Sequence, residues 1–133
     1  MSDVFVDANI LVYAFSTDPR SEQALAILGQ RHVTSVQAIN EMVWTMRRKQ
    51  KLDWADLAAA SRFVTRTFSA IHMLEIADHQ VGLELIQNHR FAWWDAIMIA
   101  TALRVGATTF LSEDMHAGLL IGGQMTIINP FRA

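Results

Sequence analysis

Asp95 sits inside Phe91-Ala-Trp-Trp-Asp-Ala-Ile-Met-Ile-Ala-Thr-Ala-Leu103, a stretch whose only other polar side chain is Thr101. A carboxylate in an otherwise apolar helix is costly to bury unless a cation or hydrogen-bond donors meet it. The same pattern recurs beside two apolar runs that read as strands. Asp7 follows Val4-Phe5-Val6, and Asp114 follows Thr108-Thr-Phe-Leu111 through Ser112 and Glu113. Three acids set against core segments need a common partner, and a hard divalent metal is the simplest one. The chain is therefore a candidate metal-dependent hydrolase.

The intervening sequence gives these acids a scaffold. Short apolar runs at Val4–Val6, His32–Thr34, Ile71–Ile76, Ala107–Leu111 and Met125–Ile128 read as strands. Helical spacing covers Ser21–Gln30, Ser35 to about Gln50, Asp53 to about Phe68, Asp78–Asn88 and Ala92–Val105, with Ser35 and Asp53 as caps and Gly106 as a stop. Asp7–Asn9 reads as a turn. Strands alternating with helices call for a parallel sheet of about five strands covered on both faces, an α/β three-layer sandwich. No repeat, low-complexity tract or Pro/Gly-rich linker divides the 133 residues, so 1–133 is expected to be one domain. In such sheets ligands bind beyond the carboxyl ends of the strands. Asp7 and Asp114 follow strands, and Asp95 lies near the start of a helix that runs back into one, so all three should meet at that edge.

A fourth acid, Glu41, lies off the core stripe of its helix (Ile39, Met42, Val43, Met46) and nearer Gln37, Thr45 and Arg48. Each acid has a plainer reading alone: a solvated surface side chain for Glu41, a turn for Asp7, a cap for Asp95 and Asp114. Together they are what hydrolysis of a phosphodiester by Mg2+ or Mn2+ requires. The rest of the sequence excludes rivals. It has no cysteine, its five histidines form no zinc-ligand pair, and it has no Gly-rich phosphate loop. A net charge of −2 argues against nucleic-acid binding by bulk positive charge, but not against a local basic rim. No leader is visible at the N-terminus and no apolar run is long enough to span a bilayer, so a cytoplasmic protein is expected.

Val4-Phe-Val-Asp-Ala-Asn-Ile-Leu11, Ile39-Asn-Glu41, Trp94-Asp-Ala-Ile-Met-Ile-Ala-Thr-Ala-Leu103 and Phe110-Leu-Ser-Glu-Asp-Met115, with Ile128-Asn-Pro-Phe131 at the end, form an ordered set spanning nearly the whole chain. This set resembles the PIN-domain ribonucleases, most of all the VapC-type toxins of bacterial toxin–antitoxin pairs. The resemblance implies a PIN-like fold and a Mg2+-dependent endoribonuclease (Mn2+ as a possible substitute). It makes Asp7, Glu41, Asp95 and Asp114 the acidic quartet, with Asp7, Asp95 and Asp114 as metal ligands and Glu41 as the residue that positions or deprotonates water. Asn9 and Ser112 would support the site by hydrogen bonding. Glu113 competes with Asp114 for the fourth place, and the motif favours Asp114. The implied partners are an RNA substrate, a small antitoxin protein and a second copy in a homodimer or higher assembly.

Other features carry two readings each. Arg47-Arg-Lys-Gln-Lys51 is either a phosphate-binding rim or a solvated helix end. Trp44, Trp54, Trp93 and Trp94 are either base-stacking platforms or core and interface residues. In the resembling family, helix 53–68 belongs to the antitoxin groove and dimer contact; ordinary core packing is the plainer reading. Two further functions are alternatives. An aspartyl-phosphate phosphatase of HAD-like type would use Asp7-Ala-Asn9 as D-x-D with its second acid lost, but the only lysines are Lys49 and Lys51. A catalytically inactive PIN-like binding module would be expected to have lost one of the four acids.

Overall fold

The first apolar run, Val4 to Val6, becomes the middle of a sheet. In the computed structural model, which describes residues 3–132, the chain runs β1 (Asp3–Val6), α1 (Ala8–Ala14), α2 (Ser21–Leu28), β2 (Val33–Ser35), α3 (Val36–Lys49) and α4 (Trp54–Thr67). It continues through β3 (Ala70–His72), α5 (Ile76–Asn88), α6 (Trp93–Arg104), β4 (Ala107–Leu111), β5 (Leu120–Ile121) and β6 (Met125–Ile128). Residues 1, 2 and 133, the ends of the expected 1–133 domain, lie outside the described residues. Among these helices none is long and apolar enough to cross a membrane.

The sheet order is β3-β2-β1-β4-β6-β5. The pairs from β3 through β6 are parallel, and only β5 runs antiparallel at the edge. Helices flank the sheet, as the alternation of strands and helices requires. Phe5 and Phe110 face each other in register on β1 and β4, with rings stacked 5.4 Å apart. Helix α6 buries every residue from Ala96 to Ala102, which explains its nearly uniform apolar sequence. Val105 ends it, and Gly106 takes the left-handed conformation (φ 85°) that releases the chain into β4.

Four expectations need correction. Asp7–Asn9 is not a free-standing turn. Asp7 caps α1, its Oδ1 accepting the Ala8 N–H at 2.6 Å, and Ile10, Leu11 and Ala14 bury that helix. The third strand stops at His72, because its partner β2 offers three residues to pair with; Met73, Leu74 and Ile76 leave the sheet and are exposed. Helix α5 accordingly starts at Ile76, not Asp78. A sixth strand, β5, returns to β6 through Gly122 and Gly123, both at positive φ (59° and 64°), the conformation a tight hairpin demands.

Asp78 is 1% exposed. Its carboxylate accepts from Arg104 Nε at 2.8 Å, from Thr101 Oγ1 at 2.9 Å and from the Glu75 N–H at 2.9 Å. These bonds hold its pKa below the usual range despite burial, and they lock α5 to α6. Arg104→Met should lower stability by about 2 kcal/mol, because it strands a buried carboxylate that keeps only two donors. Chemical denaturation of the variant checks this.

Candidate active site

The strand order reverses at the β1–β4 boundary: β1 leads outward to β2, while β4 lies on its other flank. The carboxyl ends of the two strands at such a reversal form a crevice. Val6 pairs with Leu111, and the Asp7 N–H bonds the Leu111 carbonyl at 3.0 Å, so Asp7 and Ser112 leave the sheet side by side. Ser112 Oγ donates to Asp7 Oδ2 at 2.7 Å. Asn9, on the first turn of α1, donates through Nδ2 to Asp7 Oδ2 (3.3 Å), Ser112 Oγ (3.0 Å) and Asp114 Oδ2 (3.2 Å). One amide thus ties together two acids 107 positions apart in the chain.

Glu113 points elsewhere. It accepts from the Tyr13 hydroxyl at 2.5 Å and pairs with the Arg20 guanidinium, which also stacks over the Tyr13 ring at 4.1 Å. Its backbone N–H donates to Asn9 Oδ1 at 3.3 Å. Glu113 therefore braces the loop after β4 with a neutralised charge, and Asp114 is the acid joined to Asp7 through Asn9. Tyr13 and Arg20 carry no sequence signal for this role, because the contact spans about a hundred residues.

Asp95 stands in the first turn of α6 but is not its cap, which is Ala92. Burial raises its carboxyl above the ordinary range, Asp114 raises it further, and no hydrogen bond offsets either. Glu41 lies on the second turn of α3, directly after β2, whose Ser35 caps the helix through the Ala38 N–H at 3.1 Å. Burial raises Glu41 as well; the Gln37 bond partly lowers it and the charge of Asp95 adds to the rise. Asp7, 5% exposed, is pushed up to about 7, chiefly by burial. Hydrogen bonds from Ser112 and Ala8 act against this, while Asp95 and Glu41 add to it. The four acids are therefore electrostatic neighbours at one edge.

Gln37 escaped the sequence reading, although it sits one helical turn before Glu41. Its Nε2 donates to Glu41 Oε2 at 2.8 Å and to the Trp94 carbonyl at 2.9 Å, clasping α3 to the residue before Asp95. Gln37→Ala should cut any cleavage activity about tenfold, the usual cost of losing a support behind a site carboxylate. It should also move the pH profile alkaline, since Glu41 loses the donor that lowers it. Rate against pH for native and variant protein checks both effects.

The donor set suits a hard cation: carboxylate oxygens, no sulfur, and mutually repelling charges of which Asp7 and Asp95 are burdened by burial. As the side chains stand, no three acidic or histidine groups among the described residues come close enough together to share an ion. Of the four acids, only Asp7 and Asp114 are tied, through Asn9. The residues fit a hard divalent cation such as Mg2+ in donor chemistry.

Beyond the acids, the basic run divides. Arg47 is structural, donating to the Leu52 carbonyl at 2.9 Å and lying 5.0 Å from the Trp54 ring centre, whereas Arg48, Lys49 and Lys51 are exposed. Trp93 packs edge-on against His79. The other three tryptophans are exposed.

The architecture defines an α/β protein with a mostly parallel sheet, in which Asp7 and Asp114 are tied at the point where the strand order reverses. The PIN domain family model matches residues 4–117, and the chain belongs to that family. A toxin–antitoxin complex from Klebsiella pneumoniae is similar over 99% of this chain and 100% of its own, with 21% identity and a TM-score of 0.72. VapC20 of Mycobacterium tuberculosis, described as a Sarcin-Ricin loop cleaving toxin, is similar over 81% of this chain and 87% of its own (16% identity, TM-score 0.67). VapBC2 from Rickettsia felis, bound to a DNA fragment from their promoter, is similar over 84% and 87% (15% identity, TM-score 0.61). At these identities the likeness is one of fold. No curated protein sequence matches the chain significantly.

Proposed function

We propose that the protein is a Mg2+-dependent endoribonuclease and the toxin of a toxin–antitoxin pair. What supports this reading is the tie of Asp7 to Asp114 through Asn9 at the β1–β4 reversal of a PIN domain, with Ser112 as a further hydrogen-bonding support and with the charges of Asp95 and Glu41 acting on Asp7. Asp7, Asp95 and Asp114 would hold Mg2+ (or Mn2+). The ion, when bound, acidifies water and neutralises phosphoryl oxygens. Ser112 and the Ala8 N–H keep the Asp7 carboxylate oriented; Gln37 does the same for Glu41. Glu41, with its carboxyl raised by burial above the ordinary range, is suited to take a proton from the attacking water. Attack by water uses no 2′-hydroxyl and leaves 5′-phosphate and 3′-hydroxyl ends. Asn9, which the phosphatase alternative would need as an acid, here serves as a donor to Asp7 and Asp114.

The antitoxin has a candidate seat away from the acids. A cavity of about 390 Å³ opens between the end of α1, α3 and α4, lined mainly by Phe15, Met46, Leu52, Ala59 and Phe63, with Asp56 as its one charged residue. Such an apolar cleft suits the apolar face of a short partner helix. The complexes among the structural neighbours support an antitoxin partner for this chain. An RNA substrate and a cytoplasmic location follow from the same reading.

The test is RNA incubated with the protein in Mg2+ and, in parallel, in excess chelator, with the product ends sequenced. Chelation should stop cleavage, and the ends should be 5′-phosphates. Cleavage that survives chelation removes the metal from this reading; 2′,3′-cyclic ends remove the water.

A further inference from the structure

Beside Glu41 lies a groove of about 760 Å³, most of whose lining the proposed hydrolysis does not use. Its volume is that of a small-molecule site. Glu41 forms part of its wall, and Trp94, the residue before Asp95, forms another part. Trp44 on α3 and Trp94 at the start of α6 line it, 60% and 61% exposed. The Gln37 bond to the Trp94 carbonyl holds the Trp94 wall in place. Arg48 adds a guanidinium, and Gln37 Oε1, shielded from solvent, has no hydrogen-bond donor.

We infer that this groove is a nucleotide subsite, in which Trp44 and Trp94 stack an unpaired base next to the phosphodiester held at the acids. The inference rests on the endoribonuclease reading. A chain whose phosphate sits at Glu41, Asp95 and Asp7 must leave the site along an adjoining channel, and this one shares Glu41 with it. Indole faces take any base and contribute through stacking, which suits unpaired RNA. Arg48 answers a flanking phosphate. The rival occupant is a second copy of the chain, because Met73 and Leu74 at the rim are exposed aliphatic side chains of the kind subunit contacts cover. The cation and the acid shared with the site favour the nucleotide.

The test reads binding of a short single-stranded RNA to protein carrying Asp95→Asn, without metal, by fluorescence anisotropy. Trp44→Leu and Trp94→Leu should each weaken binding about tenfold, within the range of one lost stack. Trp94→Phe should restore most of the loss. Trp54→Leu is the control: Trp54 is 61% exposed but does not line this groove, and its loss should change nothing. An abasic nucleotide at one position of the RNA should weaken binding to the parent protein and cost nothing further in Trp94→Leu. If the abasic penalty persists undiminished in both leucine variants, no base stacks here and the inference is overturned. Sedimentation then tells whether those variants have lost a dimer, which would reassign the face to a second copy. Binding is read apart from cleavage, so failure of the native chain to cut RNA would sink the nuclease reading while leaving the answer about the groove intact.

Discussion

Asp95→Asn should abolish RNA cleavage, with a rate loss of about 10³-fold or more, and leave the fold as stable as before. The size follows from the several kilocalories per mole by which a bound metal stabilises transition-state charge, at about 1.4 kcal/mol per tenfold. The selectivity follows from what the Asp95 carboxylate does in the fold, which is little. It does not cap α6, and burial and Asp114 both penalise its charge. Asparagine keeps the shape and removes the penalty, so the melting temperature should hold or rise slightly. Cleavage by purified native and variant protein in Mg2+ decides, with thermal melting alongside. A variant that cuts RNA as fast as the native chain would remove Asp95 from the site and leave the quartet without its most conspicuous member.

That prominence also explains what was legible before the fold was known. Asp95 stood out because it interrupts a helix buried throughout from Ala96 to Ala102, and Asp7 and Asp114 because each follows a strand. Parallel pairing in the register Val6–Leu111 converts that sequence position into spatial adjacency. Caps and stops at Ser35, Asp53 and Gly106 were likewise readable, since each acts on its own neighbours. The misses share the opposite character. Asp-x-Asn suits a turn and a helix cap equally, so α1 was hidden behind its first residue. Ile71–Ile76 is apolar enough for a strand, but β2 limits the pairing to three residues, a constraint held elsewhere in the chain. Gln37 resembles any polar helix residue until Glu41 and the Trp94 carbonyl are seen to share its amide. Glu113 matched Asp114 in sequence and differs only through Tyr13 and Arg20, whose proximity is a property of the fold.

The metal-free protein should lose stability as pH rises from 5 to 8, with a melting temperature falling by roughly 10 °C, and divalent metal should cancel the loss. The sign comes from Asp7. Its folded pKa of about 7 lies above the unfolded value of 3.8, so the folded state holds a proton that the unfolded state has already released. The stabilisation is complete below the unfolded value and disappears as pH climbs through about 7. The whole effect is about 4 kcal/mol, of which about 3 kcal/mol falls between pH 5 and 8. Glu41 and Asp95, also raised, act in the same direction. Asp18 and Asp78 are lowered, so their contributions vanish only as pH falls below the ordinary carboxylate range, outside this window. His32, lowered by burial, works the other way near pH 6.5, but it is partly solvated and weak. Asp7→Asn isolates the main contribution. It keeps an oxygen for the Ala8 N–H and removes the proton, so its melting curve in chelator should be much flatter with pH than the native one. A native slope that Asp7→Asn leaves unchanged would mean that Asp7 is not the group whose ionisation the fold resists.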